Sequence, residues 1–348
     1  MKIQENIALA PLTTFGIGGP ARWFVRAGSE AEIAEACAWA RERSVPLFVL
    51  GGGSNLLVAD AGFDGLVVQV ALEGIQLDGE LLRAAAGATW DDCVEQATKA
   101  GLAGVECLAG IPGTVGGTPV QNVGAYGQEV ASAIERVRAF DRETQRFVEF
   151  SNAECGFAYR KSRFNTVDRG RYVVTRVDYR LRRGGAPALT YADLRAHFAD
   201  WKNTPSLSEV AEAVRGIRKN KGMLLVEGDP ACRSAGSFFK NPSVTPEVAG
   251  RVKKIAADSG STLRVFPAEG GLTKIPAAWL IEQAGFSKGY TMGAAGISSR
   301  HTLALVNLGD GRGGATAAEI LALAERIQAA VEARFGIRLE MEPERVGF

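Results

Sequence analysis

Cys107-Leu108-Ala109-Gly110-Ile111-Pro112-Gly113-Thr114-Val115-Gly116-Gly117-Thr118-Pro119-Val120-Gln121-Asn122-Val123-Gly124-Ala125-Tyr126-Gly127-Gln128 is the stretch on which the reading of this chain turns. Between its two ends the only ionisable side chain is Tyr126, and six glycines and two prolines interrupt it. Neither a core helix nor a membrane span tolerates that composition, because glycine loses backbone entropy and proline breaks helical hydrogen bonding. The run makes sense where something needs bare main chain at close range, and a phosphate-bearing ligand is the commonest such thing. A second loop, Gly51-Gly52-Gly53-Ser54-Asn55, follows the strand-like segment 45–50. Taken alone, either loop reads as a tight turn; together they can close over one pyrophosphate through main-chain amides. The expected ligand is a large dinucleotide.

The surrounding chain is that of an ordinary globular enzyme. Its 348 residues predict two or three domains, and 46% apolar with 23% charged residues argues against disorder. A net charge of +1 leaves no footprint for nucleic acid or an anionic membrane, so any anion site is local. The amino terminus lacks a signal pattern and no apolar run is long enough to span a bilayer, which predicts a cytoplasmic chain. Cys37, Cys93, Cys107, Cys155 and Cys232 are odd in number and scattered, predicting idle buried thiols, and two histidines, His197 and His301, argue against a metal centre.

Strands and helices alternate in the first half: a helix capped by Ser29 and Glu32 running to Arg43, strands at 45–50, 66–70 and 81–84, and a helix from Asp91 to Ala100 behind Thr89. From Arg136 hairpins take over, with strands at 137–140 and 147–150 and a long one at 171–181, a mixed or antiparallel sheet. A helix over 209–219 leads to a boundary near 222–229. Beyond it come helices over 245–257 and 278–284, a strand at 303–307, and a last helix opened by Thr316 and Glu319 and closed by Gly336.

Known glycine motifs are excluded. Gly51 to Leu56 fits only part of the dinucleotide fingerprint and lacks its crossover helix, and no phosphate-loop lysine motif occurs. Ser237, in Ser234-Ala235-Gly236-Ser237-Phe238-Phe239-Lys240-Asn241-Pro242, lacks the glycines of a hydrolase elbow, and the segment reads as a turn entering an edge strand with the two rings on opposite faces.

In order, Thr13 to Gly18, Gly51 to Leu57, Ile111 to Gly117, Gln121 to Gly127, Phe157 to Phe164 and Ala235 to Pro242 resemble the UDP-N-acetylenolpyruvoylglucosamine reductase family, over nearly the whole chain. The family makes UDP-N-acetylmuramate for bacterial peptidoglycan, a role tied to wall biogenesis, cell shape and division. The resemblance implies an α+β chain: an FAD-binding fold of the vanillyl-alcohol-oxidase type in two subdomains, 1–70 and 71–224 with a return of 337–348, plus an α/β substrate-binding domain over 225–336. It implies non-covalent FAD, held by Gly51, Gly52, Gly53, Ser54, Asn55, Ile111, Pro112, Gly113, Thr114, Gly116, Gly117, Gln121, Asn122, Gly124, Ala125, Tyr126 and Gly127. It also implies two half reactions: NADPH reduces the flavin and leaves, and the enolpyruvyl UDP-sugar then takes a hydride from flavin N5. A monomer acting on these small molecules, without nucleic acid or membrane, is expected.

An enol ether accepts hydride poorly, so density must be drawn into the substrate carboxylate. By the resemblance Arg160 does this with a guanidinium fork that never loses its charge; on its own it reads as a solvated surface charge. Ser237 is the implied proton donor, with Lys240 and Asn241 orienting or polarising its hydroxyl. Glu342 is the implied acid acting with Arg160, although Glu340, Glu342 and Glu344 share one face of an expected strand, which leaves the assignment open by two positions. Tyr159, Tyr191, Lys221 and His301 complete the implied substrate set, Tyr191 and Lys221 at the diphosphate. The segment 222–233 after Lys221 is longer than in some relatives, and His301 alone reads as a structural histidine. An FAD-linked oxidase of the same fold and a flavin-binding module without turnover are the competing readings.

Overall fold

The computed structural model describes residues 1–309 and 314–348. They pack as two units: 1–8, 20–53 and 63–225 form the first, and 9–19, 54–62 and 226–348 the second.

Two large sheets build the first unit. In one, Gln4–Ala8, Pro20–Ala27, Phe63–Val70 and Leu47–Leu50 lie in that order, the first pair antiparallel and the others parallel. Leu66, Val67 and Val68 are all buried, as in a parallel strand covered on both faces. Helix Glu30–Glu42 packs on this sheet. Ser29 caps it as expected, but Glu32 turns back to the Gly28 N–H at 2.8 Å instead of completing a reciprocal box. The other sheet is wholly antiparallel, in the order Arg146–Ser151, Ile134–Asp141, Tyr172–Arg180, Leu81–Ala85, Ile75–Asp78. Val137 faces Phe150 and Phe140 faces Phe147, the hairpin expected from the alternation. Helix Trp90–Lys99 starts behind Thr89, whose side chain makes no capping bond. Helix Leu207–Asn220 starts two residues before its expected place because Ser206 and Glu209 form a full capping box.

The second unit is organised by helix Ala317–Phe335. Thr316 and Glu319 make the expected box, and Gly336 closes the helix in the left-handed conformation. Asp60 adds its carboxylate to the Ala317 and Ala318 N–H groups, at 2.7 and 3.1 Å. Ile320, Leu323, Ile327, Val331 and Phe335 are buried among Leu280, Ile281, Ile297 and Leu305. The expected strand at 303–307 is confined to Leu305–Asn307.

Two local expectations are corrected. Phe238 and Phe239 do not lie on an edge strand: the segment makes only an isolated bridge, Phe239 to Met341, and both residues are buried at 1% exposure. The carboxyl-terminal strand is only Glu344–Val346, parallel to Leu56–Val58, so Glu340 and Glu342 lie outside it. The return of 337–348 thus reaches 54–62, and both belong to the second unit.

Candidate functional site

In the first unit the two glycine loops meet main chain to main chain. A Cβ at Gly52 would stand 2.6 Å from Gly113 Cα and 3.0 Å from Thr114 N, closer than any side chain allows. Gly113 itself has φ of 121°, outside the reach of other residues. Residues 113–116 run beside 86–90, with Trp90 N donating to Gly113 O and Gly116 N to Ala86 O at 3.1 and 2.8 Å. Gly51 and Thr114 are half-buried, Gly52 and Gly117 open, and a Cβ on Gly117 would meet nothing. Ile111, Pro112 and Gly116 are half-buried between these points.

The second half of the run is a small hairpin. Ala125 pairs with Gln128 and Gly124 with Glu129, and Tyr126 and Gly127, both with positive φ, form the turn. That turn type calls for asparagine or glycine at its first central place, yet a tyrosine occupies it. Asn122 is 1% exposed, and its side-chain amide is engaged by Glu129, Ala158 and Ala131; it shapes the loop from within. Gln121 is half-buried at the start of this segment.

The same bonds bring in Arg160. Ala158 and Lys161 exchange two main-chain hydrogen bonds of 3.0 Å, leaving Tyr159 and Arg160 at the apex with Arg160 at φ 55°. Asn122 holds Ala158, Ser162 Oγ donates to Val120 O at 2.6 Å, and Arg160 Nη2 donates to Gly124 O at 2.6 Å. Its guanidinium also lies over the Tyr159 ring, 5.2 Å from the centroid. A strained left-handed arginine bonded to the glycine run is a poor solvated surface charge.

Tyr191 and Lys221 gather at Tyr126. The two phenol rings meet edge to face at 5.2 Å, and Lys221 Nζ lies 5.5 and 5.9 Å from their centroids while pairing with Asp193 at 2.5 Å. Burial works against the Lys221 charge, but the Asp193 carboxylate together with the Tyr126 and Tyr191 phenols holds the ammonium's pKa above its usual value. Burial raises the Tyr126 pKa despite Arg218 and Lys221, so the phenol stays a donor.

Three groups absent from the expected set anchor the run. Gly110 N–H donates to Asp91 at 2.7 Å, Arg218 Nε donates to Gly110 O at 3.0 Å, and Arg215 grips Asp91 through two 3.0 Å bonds. Arg215 and Arg218, three apart on helix Leu207–Asn220, carried a readable signal as paired cations on one face; Asp91 carried none. Thr118 Oγ1 donates to Val115 O, so the Tyr179 hydroxyl 2.6 Å away must be its donor.

In the second unit Asn55 braces the carboxyl-terminal segment instead of standing free. Its Nδ2 donates to Glu342 O at 3.3 Å and its main-chain carbonyl accepts from Glu344 N at 2.9 Å. Glu342 N donates to Phe238 O at 2.9 Å, which places Ser237 and Glu342 on adjoining strands of main chain. Ser54 and Ser237 are half-buried. Glu340 goes elsewhere: its carboxylate pairs with Lys240 Nζ at 2.5 Å, at 67% side-chain exposure. Asn241 Oδ1 accepts from Ala277 N at 2.8 Å, satisfying the start of helix Ala277–Gln283. Neither side chain is thereby assigned to the Ser237 hydroxyl. His301 Nδ1 accepts the Leu303 N–H at 3.1 Å, which leaves Nε2 as the proton-bearing donor in the neutral ring.

The first-unit loops suit a flavin dinucleotide. Bare main chain packs too tightly at Gly52 for any side chain yet lies open at Gly117, and the cations Arg218 and Lys221 stand by. All five cysteines are buried and none forms a disulfide. Cys107, at the start of the run, is pushed up to about 12 by burial and then by the Glu106 charge. Among the described residues no group of three or more His, Cys, Asp or Glu could hold a metal ion, and no helix is long and apolar enough to cross a membrane.

Residues 21–149 match the FAD binding domain, and residues 229–346 match the UDP-N-acetylenolpyruvoylglucosamine reductase C-terminal domain. The UDP-N-acetylenolpyruvoylglucosamine reductase of Streptomyces coelicolor is 47% identical over 353 residues, spanning 99% of this chain and 91% of the relative. That of Thermobifida fusca is 45% identical, spanning 99% and 98%. A crystal structure of the reductase from Thermus caldophilus matches 99% of both chains with a TM-score of 0.67 at 30% identity. The chain therefore belongs to the UDP-N-acetylenolpyruvoylglucosamine reductase family.

Proposed function

We propose that this chain reduces the enolpyruvyl group of UDP-N-acetylenolpyruvoylglucosamine to give UDP-N-acetylmuramate, with NADPH as reductant, in cytoplasmic peptidoglycan precursor synthesis and hence in cell-wall growth, shape and division. It is an FAD-containing oxidoreductase, and the bound, non-covalent FAD supplies the hydride. Main chain of 51–53 and 111–117, with the 121–127 hairpin, holds that cofactor. The observation that carries the reading is the strained Arg160 bonded to Gly124 O inside the glycine-loop assembly.

Each residue then has a defined task. Arg160, a bidentate donor, holds the substrate carboxylate and draws negative charge onto it. Glu342, on a segment braced by Asn55 and Phe238, acts with it on the enol form. Ser237 delivers a proton to the neighbouring carbon, which as a carbanion is basic enough to take it from a hydroxyl. Tyr159 backs Arg160, and Tyr191 and Lys221 take the diphosphate of UDP-sugar or NADPH. His301 offers Nε2–H to the sugar nucleotide, while Lys240 and Asn241 shape the Ser237 segment. Residues 1–70 and 71–224 serve the flavin, 225–336 the substrate, and the working unit is a monomer.

Anaerobic titration of the purified protein, following the flavin absorbance, tests the whole. NADPH should bleach it, and UDP-N-acetylenolpyruvoylglucosamine should restore it. Rapid peroxide formation without the UDP-sugar would instead mark an oxidase, and a yellow protein that NADPH cannot bleach would mark a binding module.

A further inference from the structure

The glycine run is closed at its base by a buried acid. Glu106, immediately before the run, is 1% exposed. Its Oε1 accepts from Gln128 Nε2 at 2.8 Å and from Ala188 N at 3.0 Å, and its Oε2 accepts from Gly104 N at 2.8 Å. Gln128, the last residue of the run, uses its other end as well: Oε1 accepts from Cys107 N at 2.8 Å. The residues flanking 108–127 are thus tied to each other twice, across a stretch that has no charge of its own to hold it. Ala188 is gripped from both sides, since the Cys107 thiol donates to its carbonyl at 3.1 Å. Two residues further on comes Thr190, whose Oγ1 a Cβ on Gly127 would strike.

Such an arrangement is costly to bury. A carboxylate out of water with three N–H donors and no cation among them is tolerable only while every donor stays in place. Ordinary loop closure needs nothing of the kind. A main-chain cradle, however, binds a ligand only if its amides are held at fixed separations before the ligand arrives.

We propose that Glu106 is a positioning residue for the cofactor: through Gln128 and Ala188 its carboxylate fixes the geometry of the glycine run, and with it the time that FAD stays bound. It rests on the reading of 111–117 and 121–127 as the flavin cradle.

Dilution of the holoenzyme, following the rise of flavin fluorescence, gives the FAD release rate. Glu106→Gln puts an amide N–H against one of the donors and should speed release by about tenfold, the effect of about one lost bond at a buried acceptor. Turnover at saturating FAD and substrate should stay within about twofold. Gln128→Met, which keeps the Glu106 carboxylate but removes one of its three donors and the bond to Cys107 N, should speed release by about threefold or more. A Glu106→Gln protein that melts earlier but releases FAD at the wild-type rate would show Glu106 to be structural only. Should Glu106→Gln fail to fold, wild-type release from Gln128→Met overturns the proposal by itself. If release is unchanged and Gly117→Ala also leaves it unchanged, the cradle reading fails with it; if only Gly117→Ala speeds release, the cradle stands and the role of Glu106 does not.

Discussion

The glycine run of the first unit and the Ser237 segment of the second both carry little regular secondary structure, yet they are held in different ways. Side chains clamp the run: from outside, Asp91 and Arg218 at Gly110, Glu106 at its base and Ser162 along its second half; from within, Asn122 and Gln128. Its own contribution is main chain. Around Ser237 itself the second segment is held by main chain, Phe238 to Leu303 and Glu342, and Lys240 to Glu340, with side-chain bonds only toward its ends, from Thr14 to Ser234 O and from Ala277 N to Asn241, and its contribution is a side chain. A site built from backbone must borrow rigidity from other residues, whereas one built from a side chain needs only a fixed Cα. The first should fail through loss of binding and the second through loss of chemistry without loss of fold.

The largest break in that comparison is expected at Ser237. Ser237→Ala removes one hydroxyl from a half-buried position and leaves the main-chain bonds of Phe238 intact. Stopped-flow absorbance should find NADPH bleaching at the wild-type rate and substrate-dependent recovery slower by about 10²- to 10⁴-fold, the usual weight of a general acid. Equal slowing of both steps would remove Ser237 from the proton path.

Arg160 comes next, because it joins the two modes: a functional side chain on strained backbone. Arg160→Gly relieves the left-handed φ while losing the bond to Gly124, so chemical denaturation should change by no more than about 1 kcal/mol. Recovery with substrate should nonetheless fall by at least about 100-fold. Arg160→Lys keeps the charge but not the fork and should restore little. Activity near wild type in the lysine variant would mean that bidentate binding of the carboxylate plays no part.

How much of this was legible follows from the range of the interactions. The glycine loops and helix Ala317–Phe335 were readable because their signals are local: bare backbone in one case, a box and a left-handed glycine in the other. The box at Ser206 and Glu209 was equally local and was missed. The bonds that Asn55 and Asn241 make were illegible for a different reason. Their partners, Glu342 and Ala277, lie 287 and 36 residues away, and nothing in a polar side chain says whether a ligand or a distant backbone will satisfy it. The strand face shared by Glu340, Glu342 and Glu344 was an inference from alternation, and it broke where the pairing with Leu56–Val58 proved to start only at Glu344.

Gly52 and Gly117 measure the backbone mode directly. Gly52→Ala must push Gly113 away and should cost about 1–3 kcal/mol of stability, with faster FAD release. Gly117→Ala meets nothing in the protein, so its melting temperature without flavin should match wild type. Any loss of FAD from Gly117→Ala is then a collision with the cofactor itself. A Gly117→Ala protein that melts early without flavin would refute that separation.

The smallest effect is expected from a site that belongs to neither mode. Asp141, buried at the end of the Ile134–Asp141 strand, is held down to about 2 by Arg171, against the cost of burial, with help from the Glu143 and Thr144 N–H groups. A carboxyl depressed on folding stabilises fully above its unfolded value near 4, and that share is lost as pH falls toward 2. Asp141→Asn should therefore melt lower than wild type at pH 7 and converge with it in acid. Its FAD release should not move, because none of the bonds that close the glycine run passes through this strand end. Faster release from Asp141→Asn would mean that general loosening of the first unit is enough to free the flavin, and the distinction between clamping residues and ordinary stabilising ones would collapse.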